Sequence, residues 1–177
     1  METDRIILRR WRDDDAETLF RFASDPDVGP RAGWAPHQNV EDSLLTIRDL
    51  FSADGIWAIE LKENGLPVGC IGYMPYGVSN IKIGENDAEL GYWVAKPYWN
   101  QGICTEALRL VIDYCWKVKK FDVLWSDFFI DNPASGRVME KCGFLDTGTF
   151  NYCSHLYGGD KCPVHVMRLI PNEIIGH

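Results

Sequence analysis

The 177-residue sequence predicts one α/β domain over residues 1–177, with a mixed, mostly antiparallel sheet of about seven strands flanked by four helices. Three observations predict it. Two amphipathic stretches follow the first strand without an intervening strand. A run of three strands comes next, opened by a tight hairpin. Two strand–helix units and a terminal hairpin then complete the order β-α-α-β-β-β-α-β-α-β-β.

Arg5 to Trp11 reads as the first strand. The first helix takes Asp13 or Asp14 as its cap and carries Ala16, Leu19, Phe20 and Ala23 at helical spacing. Asp25 to Gln38 holds three prolines and two glycines and is a long loop. Asn39 caps a second helix with the apolar stripe Val40, Leu44, Ile47 and Phe51. Ile56–Leu61 and Pro67–Tyr73 form a hairpin around Glu63-Asn64-Gly65, where Asn-Gly supplies the positive φ of a tight turn. A polar excursion, Ser79 to Asp87, leads to a fourth strand, Ala88 to Val94.

Pro97 to Gly102 breaks that strand and opens the strongest helix, with its stripe Cys104, Ala107, Leu108, Val111, Ile112, Cys115 and Val118. Glu106 in its first turn and Lys117, Lys119 and Lys120 at its end suit the helix dipole. Val123 to Ile130 is apolar on both faces and is predicted to be central. Asn132-Pro133 starts a fourth helix that stops at Gly143, with Phe144 placed for the hydrophobic contact of a glycine cap. Gly148 to Leu156 and Lys161 to Leu169 make the closing hairpin, turned at Tyr157 to Asp160.

Eighteen Lys and Arg against 26 Asp and Glu leave a net charge of −8 and a pI near 4.9. That balance disfavours nucleic acid, whose binding needs a basic surface to displace counterions. No apolar run approaches the roughly 18 residues of a membrane span, and the charged, strand-like start has no secretory segment. The expectation is a cytoplasmic protein with no membrane partner. On the same compartment argument the six cysteines at 70, 104, 115, 142, 153 and 162 are reduced thiols. Cys153-x-His155 and Cys162-x-x-His165 suggest a zinc site, but His165 falls on the opposite strand face from Cys162 unless Pro163 makes a bulge, so the expectation is no metal.

The chemistry concentrates between Val94 and Thr105. A strand ends, Gly102 permits close approach of the backbone, and a strong helix begins whose first N–H groups lack internal partners. Such a junction suits a phosphate or pyrophosphate. Neither a Walker loop nor Gly-x-Gly-x-x-Gly is present.

Three ordered segments, Glu89-Leu90-Gly91-Tyr92-Trp93-Val94, Trp99-Asn100-Gln101-Gly102-Ile103-Cys104-Thr105-Glu106-Ala107-Leu108 and Asn132-Pro133-Ala134-Ser135-Gly136-Arg137-Val138-Met139-Glu140-Lys141-Cys142-Gly143-Phe144, together resemble the GNAT N-acetyltransferases. The opening Arg5 to Arg9 and the Trp34-x-Pro36-His37 loop are similar to the RimJ/RimL branch, whose members acetylate protein N-termini or small amines. The resemblance implies a GNAT-like sheet and acetyl-CoA as co-substrate. It places the pantetheine along Trp93 and Val94, and the pyrophosphate on the amides of Asn100, Gln101, Gly102, Ile103, Cys104 and Thr105. Asn132 and Ser135 match positions near the pantetheine and thioester. Arg137 and Lys141 are either solvated charges or partners of the adenosine 3′-phosphate. Trp34 and His37 fall in the loop that walls the acceptor site in relatives.

Four positions depart from the family pattern: Trp99 stands where Arg or Gln is usual, Asn100 where Gly is frequent, Cys104 where Gly or Ala is usual, and Met139 where many relatives carry a proton-donating tyrosine. The implied reaction moves an acetyl group to a primary amine, a protein N-terminus or a small molecule, by direct transfer in a ternary complex. An amine that is mostly cationic at neutral pH needs a base, for which Glu89 is the first candidate, directly or through one water, and His37 the alternative; Ser135 is the candidate hydrogen-bond donor to the departing sulfur or to the pantetheine. Cys104 lies on the apolar stripe and reads as core packing rather than as a nucleophile. A non-catalytic acyl-CoA-binding module is the alternative, and the edge of the terminal hairpin could pair two copies as a homodimer.

Overall fold

The computed structural model describes residues 1–154 and 161–171. Seven strands form one sheet: β1 (Ile6–Arg9), β2 (Ile56–Leu61), β3 (Pro67–Pro75), β4 (Ala88–Val94), β5 (Leu124–Phe129), β6 (Leu145–Ser154) and β7 (Lys161–Leu169). Their spatial order is β1-β2-β3-β4-β5-β7-β6, and β4 with β5 is the parallel pair in an otherwise antiparallel sheet. The mixed seven-stranded architecture is the one the element order predicts, with β5 internal.

The helices are α1 (Ala16–Ala23), α2 (Val40–Thr46), α3 (Ile103–Tyr114) and α4 (Pro133–Lys141). Asn39 caps α2 by accepting the Asp42 N–H at 2.9 Å, and both α2 and α3 run on through a wider turn, to Phe51 and Lys119. The first helix departs from the predicted stripe. Phe22, not Phe20, is buried with Ala16, Leu19 and Ala23, because it packs edge-on against Tyr98 and joins the main core. The closing strand β6 begins at Leu145, three residues before the predicted Gly148, and pairs with Arg168 there. The Asn64-Gly65 turn has its predicted positive φ at Gly65, and the α4 stop at Gly143 returns the Phe144 N–H to the Met139 carbonyl at 3.1 Å.

The main core lies between the sheet and α3 with α4, built from Leu90, Ile103, Leu108, Val111, Leu124, Met139 and Phe144 among others. A second cluster on the opposite face gathers Trp11, Leu19, Ile47, Ala58 and Cys70 under α1 and α2. Beside it, Arg9 joins Asp15, at 2.7 and 2.8 Å, to Glu60. The three side chains are only 11%, 8% and 16% exposed. Arg9→Met therefore leaves two shielded carboxylates facing each other, and urea unfolding is expected to show a loss of about 3 kcal/mol.

Candidate active site

The parallel pair β4–β5 is hydrogen-bonded only at its beginning, where Ala88 faces Leu124 and Glu89 faces Trp125. One step further, the Leu90 carbonyl is met by a side chain, Ser126 Oγ at 2.8 Å. Beyond that the strands part, and a cleft of about 620 Å³ opens between them. Leu90 to Val94 line one side, Ser126 to Phe129 the other, and α3 and α4 supply the floor. A sheet split in this way exposes strand backbone to a ligand in place of a neighbouring strand.

At the far end of β4 the Trp99 indole donates to the Val94 carbonyl at 2.6 Å. The tryptophan that departs from the family pattern thus closes the strand. The chain then turns through two left-handed residues, Asn100 (φ 60°) and Gly102 (φ 76°), into α3. Gly102 at the N-cap of α3 has no side chain to cap the helix, and Glu106 is the first residue whose N–H returns to a carbonyl at the helix start, that of Gly102 at 3.0 Å. The amides of Ile103, Cys104 and Thr105 precede it without such partners at the positive end of the dipole. Arg5 braces this turn, donating to the Gln101 carbonyl at 3.1 Å and pairing with Glu106. Nothing in the local sequence marks that brace, since its partners lie about a hundred residues apart.

Of the candidate residues, Glu89, Trp93, Val94, Asn100, Gly102, Ile103, Cys104, Thr105, Asn132 and Ser135 line the cleft together, and Arg137 and Lys141 join them from α4 as exposed side chains. Gln101, Trp34 and His37 are outside the lining. The Gln101 amide turns back to the Pro97 carbonyl at 2.9 Å. Trp34 packs edge-on against Trp93 at 5.6 Å, one layer behind the wall. His37 shares a 2.7 Å hydrogen bond with Ser43 Oγ, and burial lowers its pKa, keeping the ring neutral. The loop presents Val28, Arg31 and Ala32 to the cleft instead, and Asn132 Nδ2 donates to the Arg31 carbonyl at 3.1 Å, tying that loop to the start of α4.

Glu89 is 3% exposed, and its Oε2 accepts from Ser79 Oγ at 2.7 Å and from the Asn80 N–H at 2.6 Å. Across the cleft, Tyr92 Oη donates to the Ser135 carbonyl at 2.9 Å and accepts from Ser135 Oγ at 3.2 Å. Burial drives the Tyr92 phenol well above its usual value, so it stays protonated. Gly136 lets α4 come this close, for a Cβ there would sit 2.7 Å from the Phe128 ring. Met139, at the position where many members of the resembled family carry a tyrosine, is 1% exposed and belongs to the core.

Burial raises the thiols of Cys70 and Cys115 to about 12 and of Cys142 to about 11, and it drives Cys104 upward as well. Among the described residues, no three or more His, Cys, Asp and Glu side chains gather to hold a metal ion. His155 and the predicted 157–160 turn lie outside the described residues. His165 stacks on Phe128 at 5.0 Å, with Nδ1 3.3 Å from Asp146. No helix among the described residues is long and apolar enough to cross a membrane.

Residues 5–145 match the family model described as an acetyltransferase (GNAT) domain. The chain belongs to the GNAT acetyltransferase family. YdaF of Bacillus subtilis, named provisionally as a ribosomal N-acetyltransferase, is 36% identical over 151 residues, covering 82% of this chain and 80% of its own. A GNAT-family acetyltransferase structure from Bacillus anthracis superposes with a TM-score of 0.82 at 24% identity, covering 96% and 97% of the two chains. A spermidine N-acetyltransferase from Vibrio cholerae, solved with CoA and spermine, shares the fold at TM-score 0.75 and 13% identity, covering 98% of this chain and all of that one. This acetyltransferase is therefore an acetyl-CoA-dependent GNAT enzyme, and the split sheet with an uncapped α3 fits a donor carrying a pyrophosphate.

Proposed function

We propose that this acetyltransferase is of the RimJ/RimL type and moves the acetyl group directly to a primary amine, a protein N-terminus or a small molecule, in a ternary complex. The observation that carries the reading is the cleft between β4 and β5, which runs from the free amides of α3 to the buried carboxylate of Glu89. Acetyl-CoA supplies an activated thioester. The amides of Ile103, Cys104 and Thr105 hold its pyrophosphate, with Asn100, Gln101 and Gly102 shaping the turn. The β4 backbone at Trp93 and Val94 aligns the pantetheine, and Asn132 anchors the wall beside it.

Glu89 accepts the proton of the attacking amine, and Ser135 turns its single hydroxyl proton from Tyr92 Oη toward the departing sulfur. Direct transfer is supported by the state of Cys104. Burial keeps its thiol protonated, which disfavours an acetyl-cysteine route. Val28, Arg31 and Ala32 wall the acceptor side, with Trp34 and His37 stiffening that wall from behind. The net charge of −8 steers cationic acceptors toward the protein.

Calorimetry with acetyl-CoA, followed by thiol release against polyamines, aminoglycosides and N-terminal peptides, tests the reading. Binding together with turnover on at least one amine is the expected result. Binding with no turnover across the panel would assign a non-catalytic acyl-CoA module, and no binding by folded protein would remove the site assignment altogether.

A further inference from the structure

The excursion between β3 and β4 returns to the cleft at Glu89. Ser79 Oγ lies 2.7 Å from Glu89 Oε2 and 2.8 Å from the Ile81 carbonyl oxygen, and it accepts the Ile81 N–H at 3.2 Å. A serine hydroxyl has one proton, so it serves either Glu89 or Ile81 at full strength, not both. The charge on Glu89 decides between them. A carboxylate draws a hydrogen bond roughly twice as strong as a neutral carbonyl does, and that advantage vanishes when the carboxyl is protonated.

The excursion is well anchored. Ile81 and Ile83 are buried against Val166 and Trp125, and Asp87 accepts from the Trp125 indole at 2.8 Å and the Gly84 N–H at 3.0 Å. Ser79 is thus held at a fixed distance from Glu89.

We propose that Ser79 is a positioning residue for Glu89. Together with the Asn80 N–H, its hydroxyl engages Oε2, leaving Oε1 as the oxygen that takes the amine proton, and it turns toward Ile81 when Glu89 becomes neutral. This rests on the reading of Glu89 as the base. The proton passes from the amine nitrogen to the carboxylate, and Ser79 keeps its own. The residues opposite Glu89 in the sheet, Met74 on β3 and Trp125 on β5, are uncharged. The charged side chains lining the same cleft are Asp127 on β5, Arg31 on the α1–α2 loop, and Arg137 and Lys141 on α4.

The experiment compares wild type, Ser79→Ala, Ser79→Thr and Glu89→Gln. One readout is the 13C NMR titration of the Glu89 carboxyl carbon, assigned by its loss in Glu89→Gln. The other is the pH profile of kcat/KM with the most active amine of the panel. In Ser79→Ala the carboxyl midpoint and the acid limb are both expected to move up by about 0.5–1 pH unit, and Ser79→Thr restores them. A merely structural serine would lower activity without moving the midpoint. An alanine variant that titrates like wild type overturns the proposal. A shifted midpoint alongside a fully active Glu89→Gln enzyme keeps the Ser79–Glu89 coupling and removes the base reading instead.

Discussion

Gly102→Pro is expected to weaken acetyl-CoA binding at least a thousandfold while the protein stays folded. Gly102 sits at φ 76°, and proline locks φ near −65°, so the variant must rotate the entry to α3 by rebuilding the turn. That rotation carries the amides of Ile103, Cys104 and Thr105 away from the cleft. Each hydrogen bond from a backbone amide to a charged phosphate contributes about 1.5–3 kcal/mol, so losing all three costs about 4.5–9 kcal/mol, more than the roughly 4 kcal/mol that a thousandfold represents.

The fold is largely insulated from this change, because beyond the first-turn Ile103 α3 is also secured in the core by Ala107, Leu108, Val111 and Ile112. Gly102→Ala is the informative control. The nearest atom to an added Cβ is the Arg5 guanidinium at 3.7 Å, so alanine meets no crowding and suffers only left-handed backbone strain of about 1–2 kcal/mol. Calorimetry on both variants, with circular dichroism to verify folding, reads the outcome. A proline variant that binds like wild type would place the phosphates elsewhere.

Glu89→Gln is expected to lower kcat by about a thousandfold and to leave acetyl-CoA affinity unchanged. A general base typically contributes between about 10² and 10⁴ in rate. Glutamine keeps the volume and an oxygen for the Asn80 N–H, and Ser79 retains the Ile81 carbonyl as its acceptor, so the wall around it survives. What it lacks is the ability to take a proton from an amine that is mostly cationic at neutral pH. The signature that separates a lost base from a damaged pocket is therefore the pH dependence. The variant should recover rate steadily from about pH 7 to about pH 9.5, as the acceptor deprotonates in solution. Unchanged turnover at pH 7 would move the base to another group in the cleft.

The fold and half of the site were legible residue by residue. Asn39, Asn64-Gly65, Gly102, Pro133 and Gly143 each impose a cap, a turn or a stop through chemistry confined to a few neighbouring positions. The limits of β4 could be read to the residue, because apolar strand residues there run between a polar excursion and Pro97. Helix 1 was less legible. Phe22 lies off the predicted stripe and meets Tyr98 in the main core, a tertiary contact that no single-stripe count registers. Trp34 and His37 illustrate another limit. Their loop does reach the cleft, but the side chains that arrive are Val28, Arg31 and Ala32, since backbone direction in an irregular segment has no period to read.

The sequence by itself determined the element order, the turn that frees the amides of α3, and the family. These are set by spacing over a few residues, where periodicity and φ preference act directly. Only the tertiary structure decided that β4 and β5 separate after Glu89, that Tyr92 meets Ser135, that Arg5 braces Gln101 and Glu106, and that Ser79 turns back onto Glu89. Such contacts depend on strand register and on how distant segments cross. A hydroxyl or guanidinium has the same local signature wherever its eventual partner lies, so the carboxylate can be picked out from a strand while the groups that hold it emerge only when the chain is folded.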